Sequence, residues 1–313
     1  NLSGYTELMF LGWAAVGLVV YFSYGRRKSH VGRGLVEVHD PRGDLVDTGI
    51  PYGERNLRVN RTFFEAELKL GIGSALPHPF AGFSGGAKLL LPGLTDLAAT
   101  DRSHKFVRLG LRGGTDPNSN GFRREIEQIA RQLGYLFTVC CVPNARRETA
   151  GLFAGDVVAA HRAASDLAGG ELTARVVDPE RCDCLILNAY PKDVDLVQSE
   201  GALVALKRVG RAPVREGGVV VLATAATRGM GDHGLFSPGG LAYRTPGRRR
   251  DLNHCEFWVY APSLTETDVH RLFWSGTRFF TSGAALCTAL RETLGDAARA
   301  VVVPCAPLQP LAP

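Results

Sequence analysis

Gly218–Ala223 (GVVVLA) is a run of six residues without a polar side chain. It is too short for a buried helix and holds three consecutive valines. It therefore reads as a strand covered on both faces, the type found in parallel sheets. Parallel neighbours need crossover connections, and the rest of the chain alternates accordingly. Gly34–Val38, Arg58–Asn60, Glu67–Gly71, Leu136–Val142, Thr173–Val177, Cys184–Ala189, Trp258–Ala261 and Ala300–Val303 read as strands. Residues 121–135 place Ile126, Ile129, Ala130 and Leu133 at helical spacing with charges between them. Residues 156–167, 198–207 and 282–295 read as further helices, with Asp156 near the start of the first of these and Gly169-Gly170 after its end. The expectation is an α/β fold: two α/β domains with mostly parallel sheets and an active-site cleft between them. The domains are expected at 31–168 and 169–313, after an atypical segment at 1–30.

That first segment differs from the rest. Residues 8–25 carry no charge and are followed at once by Arg26-Arg27-Lys28. Eighteen residues of helix reach about 27 Å, slightly short of a hydrocarbon core of about 30 Å. A single-pass anchor with its basic end cytoplasmic competes here with a buried core element and with an altered or fragmentary start. A signal peptide fits poorly, because the charges follow the apolar run. Elsewhere the composition is globular: 45% hydrophobic and 21% charged, which excludes disordered, collagen-like and low-complexity classes. The net charge of +5 is too diffuse to argue for nucleic acid. The seven cysteines show no C-x-x-C spacing, so reduced thiols in a cytoplasmic protein are expected.

Most of the chemistry lies in residues 71–104. Gly71-Ile72-Gly73 opens like a dinucleotide fingerprint, but Leu76 stands where the last glycine should be. Gly82–Lys88 resembles a phosphate loop only loosely, with Leu89 at the position of the magnesium-binding hydroxyl. What remains is a glycine loop, Gly82-Phe83-Ser84-Gly85-Gly86, that ends on one lysine, Lys88. Such a loop can cradle an anion with its backbone N–H groups. A lysine with apolar flanks can be depressed in pKa and serve as an attachment point. Pro77-His78-Pro79 holds a histidine between two stiff residues, as suits an acid/base group. His104, sixteen residues past Lys88, offers an imidazole to a borderline metal.

The run Pro77-His78-Pro79-Phe80-Ala81-Gly82-Phe83-Ser84-Gly85-Gly86-Ala87-Lys88, followed by Pro92-Gly93 and His104, resembles the nickel-dependent lactate racemase (LarA-like) family of 2-hydroxyacid racemases and epimerases. The resemblance runs from about Val31 to the C-terminus. It implies a nickel-pincer nucleotide, a pyridinium-3,5-dithiocarboxylate mononucleotide joined to Lys88, with Ser84, Gly85 and Gly86 in the cofactor loop. It implies that His104 ligates the nickel and that His78 is one of two acid/base groups. It also implies a small 2-hydroxyacid substrate touched by Gln198, and enzymes of cofactor biosynthesis as partners. Gly151–Asp156 (GLFAGD) and the glycine-rich Gly229–Gly234 agree with the family pattern. The implied reaction is reversible removal of hydride from the alcohol carbon, with one histidine on each face.

The chain also departs from that family. No Gly-Thr-His-Arg motif for the second histidine precedes His39, and residues 8–25 stand in its place. His39 looks like a later structural position, and His30 has no counterpart. Gly201 occupies the position of a family lysine, and Lys207, six residues on, is expected to point elsewhere. Three explanations follow. The first, favoured, is a truncated or misread N-terminus of a competent enzyme. The second is another 2-hydroxyacid whose carboxylate meets Arg228 or Arg244. The third is a catalytically degenerate cofactor-binding member, membrane-tethered through 8–25 in one version. A metal-dependent hydrolase built on His78, His104 and His233 is the weakest alternative, since no cluster of carboxylate ligands accompanies them.

Overall fold

A computed structural model describes residues 37–106, 114–144, 146, 148–232, 235–240, 243 and 245–312. The chain falls into two compact units, 1–43 and 44–313. In the first, Asp40 closes a turn, its carbonyl accepting from Gly43 N at 3.0 Å and its carboxylate from Arg42 N at 2.8 Å. Residues 8–25, His30 and the first part of the expected strand 34–38 lie outside the described residues, and Glu37-Val38 are not in a strand.

The second unit opens with an antiparallel hairpin, β1 (Leu45–Tyr52) and β2 (Arg55–Asn60). The Asn60 side chain then caps α1 (Arg61–Glu65) by accepting from Phe63 N. A three-stranded sheet follows, built from β3 (Leu70–Ser74), β6 (Phe137–Pro143) and β7 (Thr149–Asp156), with β3 and β6 parallel and β7 antiparallel at the edge. Between β3 and β6 lie a short ribbon, β4 (Pro77–His78) with β5 (Gly82–Phe83), and a single 3-10 turn, Gly86–Leu89. Then come α2 (Leu97–Lys105), capped by Asp96, and α3 (Gly121–Gln132), capped by Asn120. Helix α4 (Ala159–Leu172) packs on β6 and β7.

The later half holds a five-stranded, wholly parallel sheet in the order β11-β10-β9-β8-β12. Its strands are β8 (Cys184–Asn188), β9 (Val219–Ala223), β10 (Glu256–Tyr260), β11 (Arg278–Phe280) and β12 (Ala300–Val303). Helices α5 (Leu196–Ser199), α6 (Glu266–Leu272) and α7 (Gly283–Leu294) connect them. The run that predicted a doubly covered strand is β9, whose three valines and Leu222 are fully buried. Strand order reverses between β8 and β12, and ligands of open parallel sheets bind outside the carboxyl ends at such a switch point. Ala189–Asp195 leaves the end of β8 there. Among the described residues no helix is long and apolar enough to cross a membrane, and all seven cysteines are free thiols.

Four expected elements differ. The helix expected at 156–167 runs from Ala159 to Leu172 and contains Gly169-Gly170. Two helical glycines cost about 2 kcal/mol together, but continuing the helix buries Ala168 and Leu172 and lays Gly169 near the Phe83 ring. Asp156 still serves the helix start, accepting from Val158 N and Ala159 N. The strand expected at Thr173–Val177 is a single bridge, Ala174 to Leu311, tied to the C-terminal tail. The strand expected at Glu67–Gly71 is shifted to Leu70–Ser74, where β6 offers its partners. Residues 198–207 are one α turn followed by 3-10 helix, Glu200–Lys207.

Candidate functional site

The site starts from a ring without a polar atom. Phe80, 2% exposed, sits in the turn between β4 and β5. The His78 ring meets it edge-on at 4.6 Å between centroids, and the His104 ring does so at 5.2 Å. Lys88 Nζ lies over its face at 6.0 Å, and Phe122 of α3 backs it at 5.2 Å. The three residues singled out from the sequence therefore gather around one aromatic side chain. Phe236, from the later half of the chain, packs against His104 at 5.3 Å.

Each group is held by identifiable bonds. His104 Nδ1 is 2.7 Å from the Thr100 carbonyl of its own helix. A carbonyl only accepts, so Nδ1 carries the hydrogen and Nε2 keeps the lone pair, the arrangement a metal-ligating imidazole needs. His78 Nδ1 accepts weakly from Ala81 N at 3.4 Å, which leaves the hydrogen on Nε2. The Lys88 turn depends on two glycines. Gly85 (φ +76°) and Gly86 (φ +57°) are left-handed, and a Cβ on Gly86 would stand 3.0 Å from the His161 ring. Ser84 braces this loop: its hydroxyl donates to Ser74 O at 2.5 Å and accepts from Leu76 N at 3.0 Å. Its described role is thus to support the loop from within.

Beneath the loop lies Arg123, fully buried, with its guanidinium donating to the carbonyls of Gly85 (3.0 Å), Ala81 (3.4 Å) and Phe83. His161, also fully buried, donates Nε2–H to Ser84 O at 2.9 Å. Glu127 pairs with Arg162 through two bonds at 2.7 and 2.8 Å.

The electrostatics are one-sided. Burial first, and then the charges of Lys88, Lys192, Arg123 and His104, hold the His78 pKa well below its ordinary value. Burial, then Arg123 and Lys192, bring Lys88 down to about 8. Burial also lowers Arg123 to about 10. Among the described residues no carboxylate pairs with Lys88 or Lys192, so the positive charge acting on His78 and Lys88 is unopposed. Sequence reasoning missed Arg123, Lys192 and Phe80 as parts of this site.

Gln198, Arg228 and Lys207 make no hydrogen bond or ring contact with the Phe80 cluster among the described residues. Gln198 is exposed on α5, its backbone N–H donating to Asp195 at 2.8 Å, and no contact joins its side chain to the Phe80 cluster. Arg228 is exposed, and its charge is not among those acting on His78 or Lys88. Lys207 does point away from the cluster, with Arg249, Glu200 and Asp251 around it. Arg244 and His233 lie outside the described residues, and no three His, Cys, Asp or Glu side chains gather as a metal cage among those described.

Buried neutral imidazoles make stability depend on pH with a definite sign. The folded pKa of His161 is about 2, below its ordinary 6.5. Below pH 6.5 the unfolded chain takes up a proton that the folded chain refuses, so stability falls as pH drops. His161 alone is expected to cost about 1.4 kcal/mol per pH unit there, and His78 acts in the same direction. Urea midpoints measured from pH 7.5 to 5 check this: a midpoint that stays level across that span contradicts the assignment.

Residues 31–112 match the lactate racemase N-terminal domain family. Over 224 residues the chain is 29% identical to a lactate racemase of Thermoanaerobacterium thermosaccharolyticum, a match that covers 67% of this chain and 50% of that protein. Over 182 residues it is 28% identical to a lactate racemase of Lactiplantibacillus plantarum, covering 57% and 41% of the two. The chain is thus similar to the lactate racemases, and its residues 31–112 match that family's N-terminal domain. It spans about half the length of the curated relatives it matches. The lactate racemase apoprotein structure from T. thermosaccharolyticum superposes with a TM-score of 0.68 at 21% identity, covering 88% of this chain and 70% of that one. A Thermotoga maritima protein gives 0.57 at 14% identity, covering 82% and 69%. At these identities the superpositions establish the α/β fold. Within this LarA-like fold, the Pro-His-Pro ribbon and the Gly-Gly-Ala-Lys turn lie inside the matched N-terminal domain.

Proposed function

We propose that this chain is a racemase or epimerase of a small, lactate-like 2-hydroxy acid that uses a nickel-pincer nucleotide joined to Lys88. The observation that carries this reading is the meeting of His78, Lys88 and His104 around Phe80. The residues present fit the implied group. Lys88, brought to about 8, offers a substantial neutral amine fraction for an acyl-type bond. His104 has its lone pair on Nε2, and the unopposed positive charge suits a phosphate-bearing anion. Lys88 would hold the nucleotide and His104 the nickel, with the Gly85-Gly86 turn close to it. When bound, that group would supply a reversible hydride acceptor for a C–H bond too weakly acidic to be ionised.

The chain's own residues do the rest. His78 exchanges the substrate hydroxyl proton: taking it at Nε2 uses the tautomer with its hydrogen on Nδ1, which gives up only the weak 3.4 Å contact from Ala81 N, and the neutral ring suits a base. Charging that ring among cations is unfavourable, so an anionic ligand in the cleft favours the proton transfer. Phe80 and Phe122 exclude water from one side of the ring cluster. Enzymes of cofactor biosynthesis follow as partners.

A second reading, cofactor binding without racemisation, rests on the other imidazoles. His161, His254 and His270 each donate to a backbone carbonyl, so among the described residues of the second unit the imidazole that joins His78 at Phe80 is His104, the one assigned to the nickel. The test is co-expression with the cofactor-making enzymes, peptide mass spectrometry of Lys88, and a chiral assay over a panel of 2-hydroxyacids. An adduct with interconversion supports the racemase, an adduct alone supports the second reading, and an unmodified Lys88 overturns both.

A further inference from the structure

Four consecutive carbonyls lead into the Lys88 turn, and a buried side chain holds each of them. Phe83 O and Gly85 O accept from Arg123, Ser84 O accepts from His161 Nε2 at 2.9 Å, and Gly86 O accepts from the Tyr135 hydroxyl at 3.2 Å. Gly85 O also accepts from Lys88 N at 3.2 Å, which closes the turn itself. With these carbonyls drawn inward, Gly85 and Gly86 take the left-handed conformation that glycine adopts at little cost.

His161 differs from the other donors in two ways. It meets the turn by packing as well as by its hydrogen bond. A Cβ on Gly86 would stand 3.0 Å from the Cβ, Cγ and Cδ2 of His161, so the ring limits how deep the turn can sit. Its own orientation is also fixed from behind. Nε2 carries the hydrogen, because the Ser84 carbonyl only accepts, and the lone pair is left on Nδ1. Arg162 Nη1 lies 3.5 Å from Nδ1 and donates to Glu127 at 2.7 Å. The Ser165 hydroxyl, 3.4 Å from Nδ1, gives its hydrogen to His161 O at 2.7 Å. Glu127 lies on α3 with Arg123, and Arg162 on α4 with His161. The two helices therefore brace each other and the loop through the same four side chains.

We propose that His161 is a positioning residue for Lys88, holding the Gly85-Gly86 turn at the depth that delivers the lysine amine to the face of Phe80. The consequence for catalysis rests on the proposed attachment of the nucleotide at Lys88. A tether displaced by about 1 Å would leave its cargo out of register with His78 and His104, a misplacement that can cost about 10²-fold in rate. His161 is neutral in the fold and is not among the charges acting on Lys88. Replacing it with another neutral group leaves that charge unchanged, so a change in the titration of Lys88 reports where the amine sits.

The test compares the parent with His161→Phe, which keeps a ring and loses the donor, and His161→Gln, which keeps an amide donor at similar reach. Unloaded protein is labelled with trace acetic anhydride from pH 6 to 11, and peptide mass spectrometry gives the midpoint of Lys88 acylation. The parent and His161→Gln should share a midpoint of about 8. In His161→Phe the midpoint should rise by at least about one pH unit, as the amine gains solvent. The Lys88 adduct formed on co-expression with the cofactor-making enzymes should fall at least tenfold in the same variant. A side chain that only stabilises the fold would lower the urea midpoint and leave the acylation profile in place. If His161→Phe does not fold, His161→Asn replaces it, since its shorter amide cannot reach Ser84 O. An unmoved profile in the folded variant without a donor, or an equal shift in His161→Gln, overturns the inference. The two readings separate. A shifted profile in a protein whose parent interconverts no 2-hydroxyacid refutes the racemase and keeps the positioning role. Interconversion by the parent with an unmoved profile in the variants does the reverse.

Discussion

His78→Asn is expected to lower the rate of 2-hydroxyacid interconversion by about 10²–10⁴, which is roughly 3–5 kcal/mol of barrier. The side chain is held edge-on to Phe80 by the β4–β5 ribbon, where His78 pairs with Gly82. Asparagine keeps polarity and size near that position but cannot take a proton at neutral pH. The change should leave the Lys88 adduct intact, because Lys88 is carried by a separate turn, Gly86–Leu89. The pH dependence of the parent follows from the direction of the shift. A base must be neutral to accept a proton, and His78 stays neutral well below 6.5. The acid limb of kcat/KM is therefore expected below pH 6.5, with a level profile from there to about 7.5. A variant within tenfold of the parent rate, still carrying the adduct, would remove His78 from the reaction.

Arg123→Met should destabilise the fold by about 3–5 kcal/mol, as expected when a buried charge is taken from the groups it satisfies. Among the described residues Arg123 is the largest fully buried charged side chain, and it donates to three carbonyls of the β4–β5 ribbon and glycine loop. Each carbonyl left without a partner costs about 1–3 kcal/mol. Two effects oppose this. The Nε of Arg123 is itself buried without a partner, and one cation leaves a crowded cluster. Neither restores the lost acceptor bonds, so loss of stability dominates. Loss of the same charge should raise the Lys88 pKa from about 8. Urea denaturation and the pH profile of Lys88 acylation measure the two effects separately. A midpoint equal to the parent's would show that water replaces the guanidinium, and that the loop does not depend on it.

What could be read before the structure was known follows the range of the forces involved. The strands β8, β9 and β10 were visible because burial on both faces demands apolar runs, and β12 because its valine run is apolar even at the sheet edge, where Val302 is exposed. β1 and β7 were not, because each alternates between exposed and partly buried positions and includes glycine or proline. Helix α3 was read from its apolar positions with charges between them, yet Arg123 and Glu127 of that helix are themselves buried. A charged residue that points inward toward carbonyls has the same helical periodicity as one that points out. The Phe80 cluster was legible because His78, Lys88 and His104 fall within 27 residues and their spacing carries a family pattern. Lys192 belongs to no motif, and its charge acts on Lys88 across segments far apart in the chain, which no local spacing encodes.

Phe80 touches His78, His104, Lys88 and Phe122 at once and contributes no chemistry of its own. Its ring acts as a shared spacer that sets the separation of the proton-handling, ligating and tethering groups. In an unbiased survey of loss-of-function alleles, this hydrocarbon side chain should therefore rank alongside the ionisable residues, and a shift in its rotamer would disturb three roles together while leaving every reactive atom in place.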